Sequence, residues 1–322
     1  MKVLVFLEHH AGSVTSGSLG VLSRAAALDG AEVGAALVGA GPLEALVAQA
    51  GAHGAAIVHV ASDDGFEPPL PQPRVDVLER VVRDGAYDTV LFSNSVLAAD
   101  VAAALSSRLD AGLNWDLVDV ALRDGALVGT RLALADSIAV DVAWRGEPRL
   151  ALFRSGSFEP VPVAGGDARA EQVSFEPSAA TREITITACA PRAEEGPSIE
   201  DAEVVVAGGI GLGSAEAFGL AEELAALLGG AVGATRAAVY KGWYPASAQV
   251  GQTGRTVSPK LYVALGISGA VQHKVGMQGS KTIVAINSDA NAPIFEFSDL
   301  AVVGDVHVIV PALVERLRRL RA

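Results

Sequence analysis

Two hydrophobic periods alternate along the first third of the chain. The nearly continuous apolar run Lys2–Leu7 is the mark of a strand covered on both faces. Ser18–Leu28 has helical spacing. Strand Ala31–Val38, helix Pro42–Ala50, strand Ala55–Val60, helix Val75–Arg83, strand Thr89–Phe92 and helix Leu97–Leu109 follow. Such alternation through short loops predicts βαβ units and a parallel sheet. Ser62–Arg74 holds four prolines among polar residues and is expected to be a loop.

From Leu117 the pattern changes. Ala121–Leu127, Thr130–Leu134, Ser137–Trp144 and Leu150–Phe153 are short runs split by turn signals such as Asp124-Gly125 and Arg145-Gly146. They predict antiparallel strands added to the end of the first sheet. Two more strand-like pieces lie around Val173 and at Ile184–Cys189. The cluster Pro191–Pro197 reads as a linker. The expected organisation is an α/β domain over 1–190, a linker over 191–201 and a second α/β domain over 202–322.

In the second domain, strand Val204–Ala207 runs into a glycine-rich turn and helix Ala215–Leu228. Further strands are expected at Ala237–Val239, Leu261–Leu265, Thr282–Ile286 and Val302–Gly304. Helix Pro311–Leu320 closes the chain, with Pro in the first turn and Arg316, Arg318, Arg319 and Arg321 complementing the C-terminal dipole.

Composition narrows the function. The chain has 322 residues, 50% hydrophobic and 19% charged, which excludes disorder for its bulk. Lys+Arg is 24 and Asp+Glu is 37, a net charge of −13. That acidity argues against nucleic acid or an anionic membrane as main partner and fits a cytoplasmic protein. Mean hydropathy is high, +0.37, yet no run reaches the ~20 apolar residues of a membrane span, so no insertion is expected. MKVLVFLEHH is too short in apolar residues for a signal peptide. Cys189 is the one cysteine, so no internal disulfide can form; it reads as an inert thiol. The side chains of adjacent His9 and His10 diverge, and no metal site is expected.

Four segments could carry chemistry. Gly208-Gly209-Ile210-Gly211-Leu212-Gly213-Ser214 joins a strand to a helix. It reads equally as a phosphate-binding turn and as a tight turn with no ligand. Gln249-Val250-Gly251-Gln252-Thr253-Gly254 gathers two amides and a hydroxyl, groups that suit a neutral, hydrogen-bond-rich ring or simply a capped loop. Gly266-Ile267-Ser268-Gly269-Ala270-Val271-Gln272-His273 follows a strand at the edge where open α/β sheets bind ligands. There His273 reads as ligand-facing or structural. In Ala285-Ile286-Asn287-Ser288-Asp289, followed by Ala292-Pro293-Ile294-Phe295, Asn287 ends another strand; Asp305 follows the last one and could take ribose hydroxyls, and each of these residues taken separately also reads as a turn or cap. No P-loop, nucleophile elbow or zinc-protease motif is present.

The stretch LYVALGISGAVQHKVGMQGSKTIVAINSDANAPIF, preceded by GATRAAV and QVGQTG, closely resembles the alpha subunit of electron-transfer flavoprotein over about Val204 to Val310. VLVFLEH, SLGVLSRAAAL and FRSGSFEP extend the resemblance more loosely through the first domain. The resemblance implies an N-terminal α/β domain with a parallel sheet plus added antiparallel strands. It also implies a C-terminal doubly wound domain that binds FAD.

The family pairs with a beta subunit, which holds AMP. The heterodimer carries electrons from flavin dehydrogenases, such as acyl-CoA dehydrogenases, to a membrane quinone reductase. By this resemblance Arg236 lies over the flavin ring with Thr235 beside it. Val250, Gly251, Gln252 and Thr253 line the ring, with the Thr253 hydroxyl near N5. Ser268, Gly269, Ala270, Val271, Gln272 and His273 take the pyrophosphate and ribityl part, His273 reaching the C2 carbonyl. Asn287, Asp305 and Val306 hold the adenosine end. Polar groups without a proton-transfer pair suit a cofactor that does its own redox chemistry, so the chain is read as an electron carrier and not an enzyme. Compared with the family, Ile210 stands where Arg is usual, Ser288 where Lys is common, and Tyr240-Lys241 where Asp-Ala is common. The rival reading is a nucleotide-binding partner or regulatory subunit of the same fold without redox turnover. An NAD-dependent oxidoreductase is a weaker third, lacking a nicotinamide fingerprint.

Overall fold

The computed structural model describes every residue except 11, 135, 164–165, 189–198, 200–201 and 322. The chain divides into two compact units, Met1–Ala190 and Pro191–Ala322.

In the first unit the elements run β1 (Lys2–Leu7), β2 (His9–His10), β3 (Ser13–Val14), α1 (Ser16–Ala26), β4 (Glu32–Gly39), α2 (Glu44–Ala52), β5 (Ile57–Ser62), α3 (Pro71–Gly85), β6 (Thr89–Ser93) and α4 (Val96–Leu109). Then come β7 (Leu113–Arg123), β8 (Ala126–Ala133), β9 (Ile138–Val142), β10 (Arg149–Phe153), β11 (Arg169–Gln172) and α5 (Ala179–Arg182). The nine-stranded sheet has the order β11-β5-β4-β1-β6-β10-β7-β8-β9. Val3, Val5 and Leu7 of β1 face one apolar layer with α1 and α2; Leu4 and Phe6 face another with α3 and α4. Side-chain oxygens of Thr15 and Ser95 cap α1 and α4.

Four expectations for this unit change. The loop ends before Arg74: Pro71 to Arg74 form the first turn of α3, with Leu70 as N-cap, because proline needs no N–H partner there. The expected strand Ala121–Leu127 is broken at Asp124-Gly125, where both residues take positive φ (51° and 78°) and turn β7 into antiparallel β8. Leu150–Phe153 is not antiparallel: β10 inserts between β6 and β7, parallel to both. Its run of four buried apolar residues is what a strand covered on both faces requires. Ile184–Ala188 forms no strand, while β11 ends just before Val173. Cys189, and the expected linker apart from Ile199, lie outside the described residues.

The second unit runs β12 (Val204–Gly208), α6 (Gly219–Leu228), β13 (Ala231–Thr235), α7 (Arg236–Tyr240), β14 (Gln249–Val250), β15 (Leu261–Leu265), α8 (Val271–Lys274), β16 (Ile283–Asn287), β17 (Leu300–Val303) and α9 (Val306–Arg321). Its six strands are all parallel, in the order β14-β13-β12-β15-β16-β17. Counted along this unit, that is the doubly wound order 3-2-1-4-5-6, with the winding reversing between β12 and β15. Tyr262 and Ala264 point into one apolar layer, Val263 and Leu265 into the other.

Here too the sequence reading is corrected. Ala237–Val239 belongs to helix α7, and the strand lies before it. The Thr235 hydroxyl accepts from the Ala238 N–H and starts the helix. The last helix begins at Val306, five residues early, because Asp305 Oδ1 accepts from the His307 N–H at 2.9 Å and caps it. Pro311 therefore sits inside α9.

Candidate functional site

A cleft of about 560 Å³ opens at the carboxyl ends of the strands of the second unit, at the reversal point between β12 and β15. Its first wall is the glycine turn after β12. Here the phosphate-loop reading loses: the Gly209 and Gly211 N–H groups donate to the carbonyls of Leu265 and Gly266, both at 2.9 Å. A Cβ on Gly209 would lie 2.4 Å from the Gly266 oxygen. These glycines let two loops close on each other, and two of their N–H groups are already used. Ile210 from this turn lines the cleft.

The second wall comes from β13, α7 and the loop after β14. Thr235 ends β13. Arg236 opens α7 and is exposed, its guanidinium 5.5 Å from the centre of the Tyr240 ring. Val250, Gly251, Gln252 and Thr253 all line the cleft. The Gln252 N–H donates to the Gln272 carbonyl at 2.7 Å, which staples this loop to α8. The Gln249 side-chain amide donates to Thr253 Oγ1 at 3.1 Å, leaving the hydroxyl hydrogen to be donated elsewhere.

The floor is the segment after β15. Ser268, Gly269, Ala270, Gln272 and His273 line the cleft. Gly269 takes φ +89°, and a Cβ there would lie 2.4 Å from the Ile294 nitrogen. Among the described residues, the backbone N–H groups of Ser268 to Gln272 meet no acceptor. That row of donors suits an anionic or carbonyl-rich ligand. Of the residues lining the cleft, the charged ones are Arg236 and Asp289.

His273 departs from the expected role. It is 6% exposed, with Nδ1 3.2 Å from the Val250 carbonyl oxygen and Nε2 3.0 Å from the Tyr262 hydroxyl. Both ring nitrogens are engaged inside the protein, so no N–H of this ring is left to reach a C2 carbonyl. Burial pushes its pKa down to about 4, against a smaller upward pull from the Val250 carbonyl. It is a neutral imidazole at ordinary pH.

Three expected residues are not brought to the cleft. Val271 turns outward and is exposed. Asp305 caps α9 through Oδ1 and is not among the residues lining the cleft, and Val306 is buried in the apolar layer beneath it. Asn287 lines the cleft, but its amide braces loops: Nδ2 donates to the Ile267 carbonyl at 2.9 Å, and Oδ1 accepts from the Asp289 N–H at 3.0 Å. The carboxylate at the cleft is Asp289. Gly209, Gly211, Gly266 and Ile267, from the two glycine-containing candidate segments, also line the cleft, and Ala237 joins them from α7, where the sequence suggested a strand.

A larger cavity, about 1120 Å³, opens in the first unit around His59 and Tyr87. It includes residues at the amino ends of β1, β4 and β5, the edge opposite to the one where open α/β sheets take ligands. His59 Nε2 there is paired with the Tyr87 hydroxyl at 2.7 Å. Among the described residues there is no metal-type cluster, and no helix is long and apolar enough to cross a membrane.

Fold and cleft together define a two-unit α/β protein whose second unit has the strand order and ligand edge of a dinucleotide-binding fold. The comparisons with known proteins narrow this. Residues 198–278 match the family described as "Electron transfer flavoprotein FAD-binding domain", and residues 3–180 match "Electron transfer flavoprotein domain". The chain is 44% identical over 320 residues to the electron transfer flavoprotein subunit alpha of Mycobacterium tuberculosis (strain ATCC 25618 / H37Rv), covering 98% of each chain. It is 42% identical to that of Mycobacterium leprae (strain TN) over 320 residues, again 98% of each. To that of Syntrophomonas wolfei subsp. wolfei it is 37% identical over 315 residues, with the same coverage. The chain belongs to the electron transfer flavoprotein alpha-subunit family.

Proposed function

We propose that this chain is the FAD-binding alpha subunit of a heterodimeric electron carrier, with the flavin held in the cleft of its second unit. One observation carries the reading: Arg236, the Gln252-Thr253 loop and Ser268, Gly269, Ala270 and Gln272, whose N–H groups meet no acceptor among the described residues, line a single cleft at the sheet's reversal point. The donor set fits the group. The N–H row suits a pyrophosphate, Gln252 and Thr253 suit the polar edge of a flavin ring, and Arg236 supplies positive charge beside it. Thr235, Val250, Gly251 and Asn287 complete the walls, and His273 contributes a neutral ring to the floor. When bound, FAD supplies the redox chemistry. Val271, Asp305 and Val306 are left out of this assignment.

The partners follow from the family reading. They are a beta subunit carrying AMP, acyl-CoA or other flavin dehydrogenases as donors, and a membrane quinone reductase as acceptor. The setting is cytoplasmic, with domains over 1–190 and 202–322 joined by a linker over 191–201.

Co-expression with the beta subunit, followed by light scattering, absorption spectroscopy and chromatography of the released nucleotides, tests the proposal. A yellow complex of one alpha and one beta chain with one FAD is expected. A colourless complex, or a stable flavin-loaded alpha monomer, overturns it.

A further inference from the structure

Beneath the cleft floor three groups from three elements form one buried chain: Tyr262 of β15, His273 of α8 and the carbonyl of Val250 at the end of β14. Tyr262 is fully buried. A carbonyl oxygen can only accept, so the nitrogen facing it, Nδ1, carries hydrogen. A neutral imidazole has one N–H, so Nε2 is left as a lone pair and the Tyr262 hydroxyl must donate to it. The tautomer is fixed from both sides.

The surroundings reinforce this. Burial and the Val250 carbonyl account for the displacement of the ring's pKa, with no charged side chain contributing. On the ring's own helix, the Lys274 ammonium is occupied 4.9 Å from the centre of the Phe297 ring. The same helix holds the 250–252 loop a second time, through the Gln252 N–H to the Gln272 carbonyl. His273 is therefore one of two pins joining that loop to α8, and its hold depends on which nitrogen is protonated.

We propose that Tyr262 is a positioning residue for the cleft: by donating to Nε2 it locks His273 in the Nδ1–H tautomer. That lock pins the Val250–Gln252 wall and keeps the floor uncharged when negative charge gathers above it. The consequence for the flavin rests on the function proposed above; the lock itself does not.

The test uses the intact alpha–beta heterodimer labelled with nitrogen-15 histidine, with His273→Gln to assign the signals. In the wild type, Nδ1 should show a protonated shift and Nε2 an unprotonated one, unchanged from pH 5 to 8. In Tyr262→Phe the donor to Nε2 is gone and the Val250 carbonyl alone orients the ring. The Nε2 signal should leave its wild-type position, and a fraction of the Nε2–H tautomer should become detectable. A wild-type ring protonated at Nε2, or a Tyr262→Phe spectrum identical to wild type, overturns the lock. A heterodimer that holds no flavin overturns the cofactor reading and leaves the nitrogen shifts to decide the lock alone.

Discussion

Gly211 and Gly266 meet backbone to backbone across the mouth of the second unit. The Gly211 N–H donates to the Gly266 carbonyl at 2.9 Å, and a Cβ on Gly266 would lie 2.7 Å from the Gly211 carbonyl carbon. Gly266 also takes φ +60°, in the left-handed region. Gly266→Ala combines a backbone clash with that strain and should cost about 2–4 kcal/mol. Gly229 has φ +68° in the left-handed region and open space around it, so Gly229→Ala should cost only about 1 kcal/mol. Urea denaturation of the two variants checks the ranking; equal losses would mean that the loop contact contributes nothing.

Arg236 is the cation of the cleft lining. At about 4 Å and an effective dielectric of about 20 its attraction for a negative charge is on the order of 4 kcal/mol. Its exposure brings solvent screening, which leaves roughly 1–3 kcal/mol. Arg236→Ala should therefore lower the first one-electron potential of bound flavin by about 40–130 mV. Arg236→Lys should recover part of it. Spectroelectrochemistry of the heterodimer reads both, and an unshifted first potential removes Arg236 from the cofactor's surroundings.

His273 gives the second unit an acid-side weakness. Its pKa is about 4 when folded and about 6.5 when unfolded. Between those values the unfolded chain binds the extra proton, so stability rises with pH there. The contribution is complete above about pH 6.5 and falls away as pH drops, by roughly 3 kcal/mol at pH 4. Burial lowers the pKa of His9 and His59 as well, and both act in the same direction. The informative quantity is thus the difference between wild type and His273→Gln. Denaturation at pH 4.5, 5.5 and 7 should show a shallower pH slope in the variant; parallel slopes would refute the assignment.

The apolar side chain of Ile210 lines the cleft where the family usually carries Arg. Ile210→Arg should tighten FAD binding to the apo-heterodimer by roughly 5-fold, about 1 kcal/mol. Titration calorimetry measures it, and an unchanged affinity places residue 210 out of the cofactor's reach.

Much of this architecture is legible in the sequence, for reasons visible at single elements. Lys2–Leu7 and Leu261–Leu265 are apolar without interruption, a pattern that a strand covered on both faces demands. Direction is not written in such a run, so the parallel insertion of β10 had no local signal. Ala237–Val239 is too short for either period to show, and a cap from Thr235 decides it. At the site, residue types could be read but their engagements could not. Whether Asp305 faces a ribose or caps a helix depends on the position of the His307 N–H. What His273 offers depends on Tyr262, which belongs to a different element.

The open row of N–H groups from Ser268 to Gln272 has a genetic consequence. Those donors belong to the main chain, so no exchange of side chain deletes one, proline excepted. Inherited damage to this floor should fall instead on the residues that shape it, such as Gly266 and Gly269, whose replacement moves the backbone without touching a single donor. A change at Ser268, Ala270 or Gln272 leaves the donor in place and is felt only through what its new side chain puts into the cleft, while a one-carbon addition at Gly269 is expected to act as a null allele.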